Sequence, residues 1–328
     1  MTALGQSISR PAGKRDWAGL IGVAGSALTL VITLPKVTEA GGFGLFVNDV
    51  LAHGWTLLLL TLAAGTVRTL TLPTFLKTGF AGFFAAFGLA ILVGRPTMNR
   101  LERMPQLGDV VVMPVVEEIL KMLPVLLVAG FALRKKDVRL SVADIMLLGA
   151  WSGAGFALHE NALFGRGGMD LGAAPPLSLL VPSALPIHTQ AGSMLAGGHL
   201  LWTTLIALGF GITMLYRKGR LTWLALPVTA AVALGEHGIC NAYSDASVRT
   251  PAKVAHVLLL GGWASLLLLV AGGIYIYLEW RLISRKRLPA ARVPQWILPS
   301  AAERARRGQL LAFWQVGVHA LKKTGATA

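Results

Sequence analysis

The sequence predicts an all-α protein, a polytopic transmembrane helix bundle of about eight spans, and three observations carry that prediction. Charged residues are only 14% of the 328, against about 25% in a soluble chain, too few to clothe a water-facing surface. Hydrophobic residues make up 54%, and mean hydropathy is +0.64. The apolar residues also fall into blocks near the roughly 20 residues that a helix needs to cross a bilayer.

The blocks, in chain order, are 17–35, 50–71, 74–94, 110–133, 142–164, 192–216, 221–242 and 254–279. The first follows Arg10, Lys14 and Arg15 and so has the flank of a signal peptide. Its apolar run outlasts the roughly 7–15 residues of a signal core, and no clean small-x-small site follows, so it reads as a retained span. Blocks two and three are nearly free of ionisable groups, apart from His53, Arg68 and Lys77 near their edges. Ser141 and Asp144 have the spacing of a capping box opening the fifth block. The Pro- and Gly-rich stretch 165–187, with its apolar run Leu177–Val181, is a long connection that suits a lid, a re-entrant flap or a loose loop. Cys240 stands alone in an apolar block, which excludes an internal disulfide.

Lys and Arg in the connections set the orientation. With both termini cytoplasmic, the inner segments carry Arg134, Lys135, Lys136, Arg139, Arg217, Lys218 and Arg220 beside the basic ends. From Arg281 onward, ten basic residues stand against Glu303, which accounts for +9 of the chain's +15. Beyond Ser300 and Glu303, residues Leu310, Leu311, Trp314, Val318 and Leu321 recur at helical spacing. Together these predict an amphipathic helix on the anionic inner leaflet, with the lipid bilayer as partner and no nucleic acid.

Ionisable residues inside spans are expensive and mark function. They gather in four blocks: Glu117, Glu118 and Lys121; His159, Glu160 and Asn161; His199 with Thr203; and Glu236, His237 and Asn241. Alternating topology places Glu117, Glu118, Glu160, His199 and His237 roughly 6–12 Å below the outer surface at 1.5 Å per residue. Polar chemistry from four helices at one depth describes a site.

Spacing adds detail. Glu117 and Lys121, His199 and Thr203, and His237 and Asn241 are four apart, so each pair shares a helix face. Lysine favours the ionised form of one glutamate while burial opposes it in the other, which suits a base and an acid. Two imidazoles on separate helices can bind a metal or stabilise an oxyanion, and Asn241 offers amide donors for the same oxyanion. His199, His237 and Glu160 are a sufficient donor set for a divalent metal such as zinc. A metal-free glutamate mechanism uses the same residue types, and His-Glu-x-x-His is absent.

Simpler roles exist for several of these groups. Glu118 and Lys121 read equally as a buried ion pair locking two helices. His159 and His188 are expected near the interface, packed or solvated. Thr203 and Thr204 suit hydrogen bonds to their own helix backbone.

In order, Glu-Glu-x-x-Lys (117–121), Phe-x-x-x-Glu (156–160, then Asn161), His-x-x-x-Thr (199–203) and His-x-x-x-Asn (237–241) lie on four successive helices. The ordered set resembles the PrsW family, multi-pass intramembrane proteases related to the CAAX prenyl endopeptidases. Lys121 and Glu160 depart from the Arg and His usual in the CAAX relatives. The resemblance implies cleavage of a membrane-anchored protein, an anti-sigma factor being the family's known substrate. By position, Glu117 and Glu118 match paired catalytic glutamates and His199 an essential histidine. Lys121, Phe156, Asn161 and Thr203 support them.

The expected organisation is three N-terminal spans (1–109), a catalytic core (110–245), a last span (246–280) and the basic tail (281–328). A proton- or ion-coupled transporter uses similar residues but spreads them through the bilayer in a repeat. A non-catalytic membrane scaffold would keep the fold with a disabled site.

Overall fold

The computed structural model describes residues 38, 42–64, 68–101, 104–134, 140–164, 185–189, 192–196, 198–216, 221–243, 249–258 and 263–284. The first apolar block and the tail beyond Ser284, with its expected amphipathic helix, lie outside these residues.

The fold is helical. Helix α1 spans Gly42–Ala64 and α2 spans Leu72–Arg100, with a π-helical turn at Gly82–Ala86. A second π-helical turn, Gly108–Val112, leads into α3, Met113–Arg134. Then come α4 (Val142–Phe164), α5 (Gly198–Leu215), α6 (Ala225–Tyr243), α7 (Arg249–Leu258) and α8 (Trp263–Ser284). One antiparallel hairpin precedes α5, pairing β1 (Leu185–Thr189) with β2 (Gly192–Ala196) so that Leu185 faces Ala196.

Among the described residues, five helices are long and apolar enough to cross a membrane: Phe46–Ala64, Leu72–Arg100, Val142–Leu163, Gly198–Leu215 and Thr222–Ala242. Helix α3 has the length, at 22 residues, but carries Glu117, Glu118 and Lys121. The last block divides into α7, which holds Arg249 and Lys253, and α8, whose apolar stretch is Ala264–Tyr277.

Three boundaries differ from the apolar blocks, each for a local reason. The second block does not run as one helix to its end at residue 71: the described helix reaches Ala64, and Thr71 in extended conformation with Pro73 in the first turn begins α2. Helix α5 starts at Gly198, not 192, because residues 192–196 pair as a strand and Gly198 takes a left-handed φ of 67°. The connection 165–187 contributes its last residues to β1.

Helix α4 is the hub. It packs against α1, α2, α3 and α5. Its apolar window is 89% buried, against 33% for the windows of α1, α2 and α6, so α4 is walled in by protein while those three leave most of their apolar surface uncovered. Small residues make this possible, as in other membrane helix pairs. A Cβ at Gly153 would lie 2.6 Å from the His199 carbonyl, and one at Gly149 would lie 2.8 Å from the Thr203 carbonyl. The two glycines, four apart, therefore set how closely α5 approaches.

The start of α4 is tied down more firmly than its capping box requires. Ser141 Oγ accepts from the Asp144 N–H at 3.0 Å, and Asp144 Oδ2 accepts from the Ser141 N–H at 2.9 Å, as the box demands. The same carboxylate also accepts from the Thr69 and Leu70 N–H groups at 2.8 and 2.9 Å and from Thr69 Oγ1 at 2.7 Å. Asp144 thus anchors the α1–α2 connection to the hub.

Candidate active site

Helix α3 brings three charges to one place because positions three and four apart share a face. Lys121 has no exposure, and its Nζ donates to Glu118 Oε1 at 2.7 Å and to His199 Nδ1 at 2.6 Å. It lies 3.6 Å from Glu117 Oε2 and 4.3 Å from the centre of the Phe156 ring. Such a cation is tolerable in an apolar core only because partners surround it. Glu118 is equally enclosed, accepting from Lys121 and, at 2.8 Å, from Thr203 Oγ1.

The two histidines close the cluster. Since an ammonium only donates, His199 Nδ1 accepts from Lys121, and its Nε2–H donates to the Glu160 carboxylate. That assigns the tautomer. His237 Nε2 stands 3.5 Å from Glu117 Oε2, and its Nδ1 stands 3.4 Å from Glu118 Oε1. Phe156 meets His199 edge-on, with centroids 5.2 Å apart. Residues from α3, α4, α5 and α6 therefore touch one another here, as equal depth predicts.

Glu117 Oε2 differs from the rest. It is buried and has no hydrogen-bond partner among the described residues, although Lys121, His199 and His237 all point nitrogen at it. One ligand atom from each of Glu117, His199 and His237 lies within 4.8 Å of the others. Two imidazoles and a carboxylate are a zinc-type donor set, and the unsatisfied oxygen is an atom that a cation would satisfy. The residues fit a divalent metal once Lys121 releases the Nδ1 of His199. The carboxylate in this set is Glu117, whereas the sequence suggested Glu160. Glu160 holds the other nitrogen of His199, the place of a carboxylate that orients a ligating imidazole.

Other expected residues sit further out. Asn161 Nδ2 donates at 3.0 Å to Asp49 Oδ2 on α1, where Asp49 also contacts His53. Asn241 Nδ2 donates at 2.9 Å to the Asp109 carbonyl in the turn before α3. Thr204 bonds its own helix at Leu200, as expected, but Thr203 spends its hydroxyl on Glu118. Of the two expected states of His159 the structure shows the packed one: it is buried, stacked on Phe87 with centroids 4.1 Å apart, and 2.6 Å from the Phe83 carbonyl of the π-helical turn. His188 falls in β1.

Three participants had no role assigned from the sequence. Trp202 lies flat against His237, Glu236 accepts from the Trp202 indole, and Ser152 Oγ donates to the Lys121 carbonyl at 2.6 Å. A tryptophan or serine in an apolar run is indistinguishable from packing until its partner is known. Glu236 stood beside His237 but belonged to no spacing pattern.

Compared with known proteins, the chain matches a family model described as PrsW family intramembrane metalloprotease over residues 53–270. No curated protein and no solved structure matches it.

Proposed function

The chain belongs to the PrsW family of intramembrane proteases, and on that premise we propose that Glu117 activates water to hydrolyse a peptide bond of a membrane-anchored protein. The observation that carries this is the contrast between the paired glutamates. Glu118 has its oxygens committed to Lys121 and Thr203, while Glu117 keeps a buried oxygen without a hydrogen bond amid three nitrogens. A general base needs a free acceptor atom held beside the reacting water.

The remaining residues divide the work. Lys121 holds Glu118 and His199 in place and keeps positive charge near the carbonyl oxygen as it turns into an oxyanion. Glu160 fixes the His199 ring through its Nε2–H. Glu117, His199 and His237 are the residues that would hold a divalent ion such as zinc, which would polarise the scissile carbonyl and acidify water, one Glu117 oxygen then going to the ion and the other taking the proton. Asn241 is the amide nearest in sequence to His237, and its share in oxyanion binding requires it to leave the Asp109 carbonyl. Substrate enters from the bilayer, and an anti-sigma factor is the family precedent. The site lies toward the outer surface, with both termini inside. The core stays at 110–245, between the spans of 1–109 and the last span at 246–280. The transporter alternative lacks an equivalent support, because the charged groups of the site close on one another.

The test is cleavage of a membrane-anchored reporter by purified protein in proteoliposomes. Glu117→Gln and His199→Ala should each lose at least about 100-fold in rate, while each variant still shows a cooperative melting transition. Full cleavage by both variants would end the proposal.

A further inference from the structure

The site leaves one question open: what fixes the ring plane of His237. His199 is held at both nitrogens, by Lys121 and by Glu160. His237 Nδ1 is buried with no hydrogen-bond partner among the described residues. The torsion between an imidazole and its Cβ is broad and roughly two-fold, so packing has to supply what hydrogen bonds do not.

Trp202 is what packs there. Its ring lies nearly parallel to His237, 14° between planes and 4.3 Å between centroids. It also stands at 89° to His199 with centroids 5.2 Å apart, and the two imidazoles lie 4.8 Å apart at 81°. One indole therefore touches both rings, one with its face and one along an edge.

The indole is itself held. Its Nε1–H donates at 3.2 Å to Glu236 Oε2, which also accepts from Ser265 Oγ at 2.6 Å. Glu236 Oε1 accepts from the Ser265 backbone N–H at 3.3 Å. Ser265 lies in the first turn of α8, where backbone N–H groups lack helical partners and a carboxylate is favoured. Trp202, Glu236 and Ser265 are each at most 2% exposed.

We propose that Trp202 is a positioning residue that sets the ring planes of His199 and His237, and that Glu236, anchored on the first turn of α8, sets Trp202. The inference rests on the reading of these histidines as the working groups of the site. It makes α8, outside the four motif helices, part of the apparatus that aims them.

The experiment uses the full-length chain in nanodiscs and three readings: zinc affinity by chelator competition, kcat and KM on a membrane-anchored substrate, and thermal midpoint. Trp202→Leu removes the flat ring and should lower zinc affinity and kcat by roughly 10- to 100-fold, as loss of partners outside the ligand set does. KM should stay within about twofold, since no contact with substrate is removed. Trp202→Phe keeps a ring on His237 and should recover most of that loss. Glu236→Gln keeps an acceptor oxygen for the indole and should recover most of what Glu236→Ala loses. A merely structural role would lower the thermal midpoint while leaving zinc affinity and kcat of the folded protein at wild-type values, and that result overturns the proposal. Should the wild type cleave without zinc, kcat alone decides by the same margins. A wild type that neither takes up zinc nor cleaves overturns the site reading and this proposal with it, whereas an active wild type matched by Trp202→Leu overturns this proposal alone.

Discussion

Glu117 and Glu118 share a helix turn and differ in what surrounds them, so the same substitution should act on different properties. Glu118→Gln breaks a buried ion pair and leaves Lys121 short of a counter-charge, which costs about 3–5 kcal/mol. It should show as a large drop in the thermal midpoint in detergent. Glu117→Gln removes a charge that makes no hydrogen bond through Oε2 and should lower the midpoint by less than Glu118→Gln does, while cleavage disappears. Combining Glu118→Gln with Lys121→Met should cost less than the two single changes added, because each alone strands its partner; strict additivity would mean that the pair does not interact. These groups were legible in the sequence because charge inside a span is rare and i,i+3 or i,i+4 spacing fixes a shared face. Glu236 was visible as a charge in a span but without a role, and Trp202 and Ser152 gave no sign, because the roles of all three come from partners on other helices 29 to 34 residues away. The identity of the carboxylate facing both histidines was also beyond spacing, since Glu117 and Glu160 both fit by depth and only packing separates them.

At the scale of elements, the α4–α5 crossing decides where His199 stands. Gly153 meets the His199 carbonyl directly, so Gly153→Leu has to push α5 outward. Overpacking of this kind costs about 1–3 kcal/mol, and a displacement near 1 Å can cost about 100-fold in rate. The expected result is protein that still folds, with cleavage reduced at least tenfold, read by comparing melts with initial rates. Wild-type rates in a folded Gly153→Leu variant would show that the crossing does not position the site. Helices were visible as apolar runs, but their ends were not, since lipid-facing and buried segments look alike by composition. Ends depend on punctuation: Thr71 and Pro73 open α2, and Gly198 opens α5 after a strand whose pairing no apolar count reveals. The Ser141–Asp144 box was readable, yet its grip on Thr69 and Leu70, some 75 residues back, was not.

For the molecule as a whole, the donor set of Glu117, His199 and His237 predicts near-stoichiometric zinc in purified protein, absent from the His199→Ala/His237→Ala double variant by elemental analysis. Chelation should stop cleavage and lower the thermal midpoint, since a ligand that binds only the folded state stabilises it. Retained cleavage in metal-free wild type would assign the chemistry to the glutamates and histidines alone. Reporter fusions at the two ends should both read as cytoplasmic, in keeping with the basic residues of the tail. The enclosure of α4 also has a consequence for the order of assembly. Because α4 carries Asp144, His159 and Glu160, membrane insertion of this helix by itself is less favourable than that of a span free of ionisable groups. It emerges from the ribosome after α1–α3 and before α5, so it has to shelter against the earlier helices until α5 arrives to seal it. A nascent chain halted at residue 197 should accordingly hold its fourth helix loosely, extractable by alkaline wash or open to protease, whereas one continued through Leu215 should hold it fast.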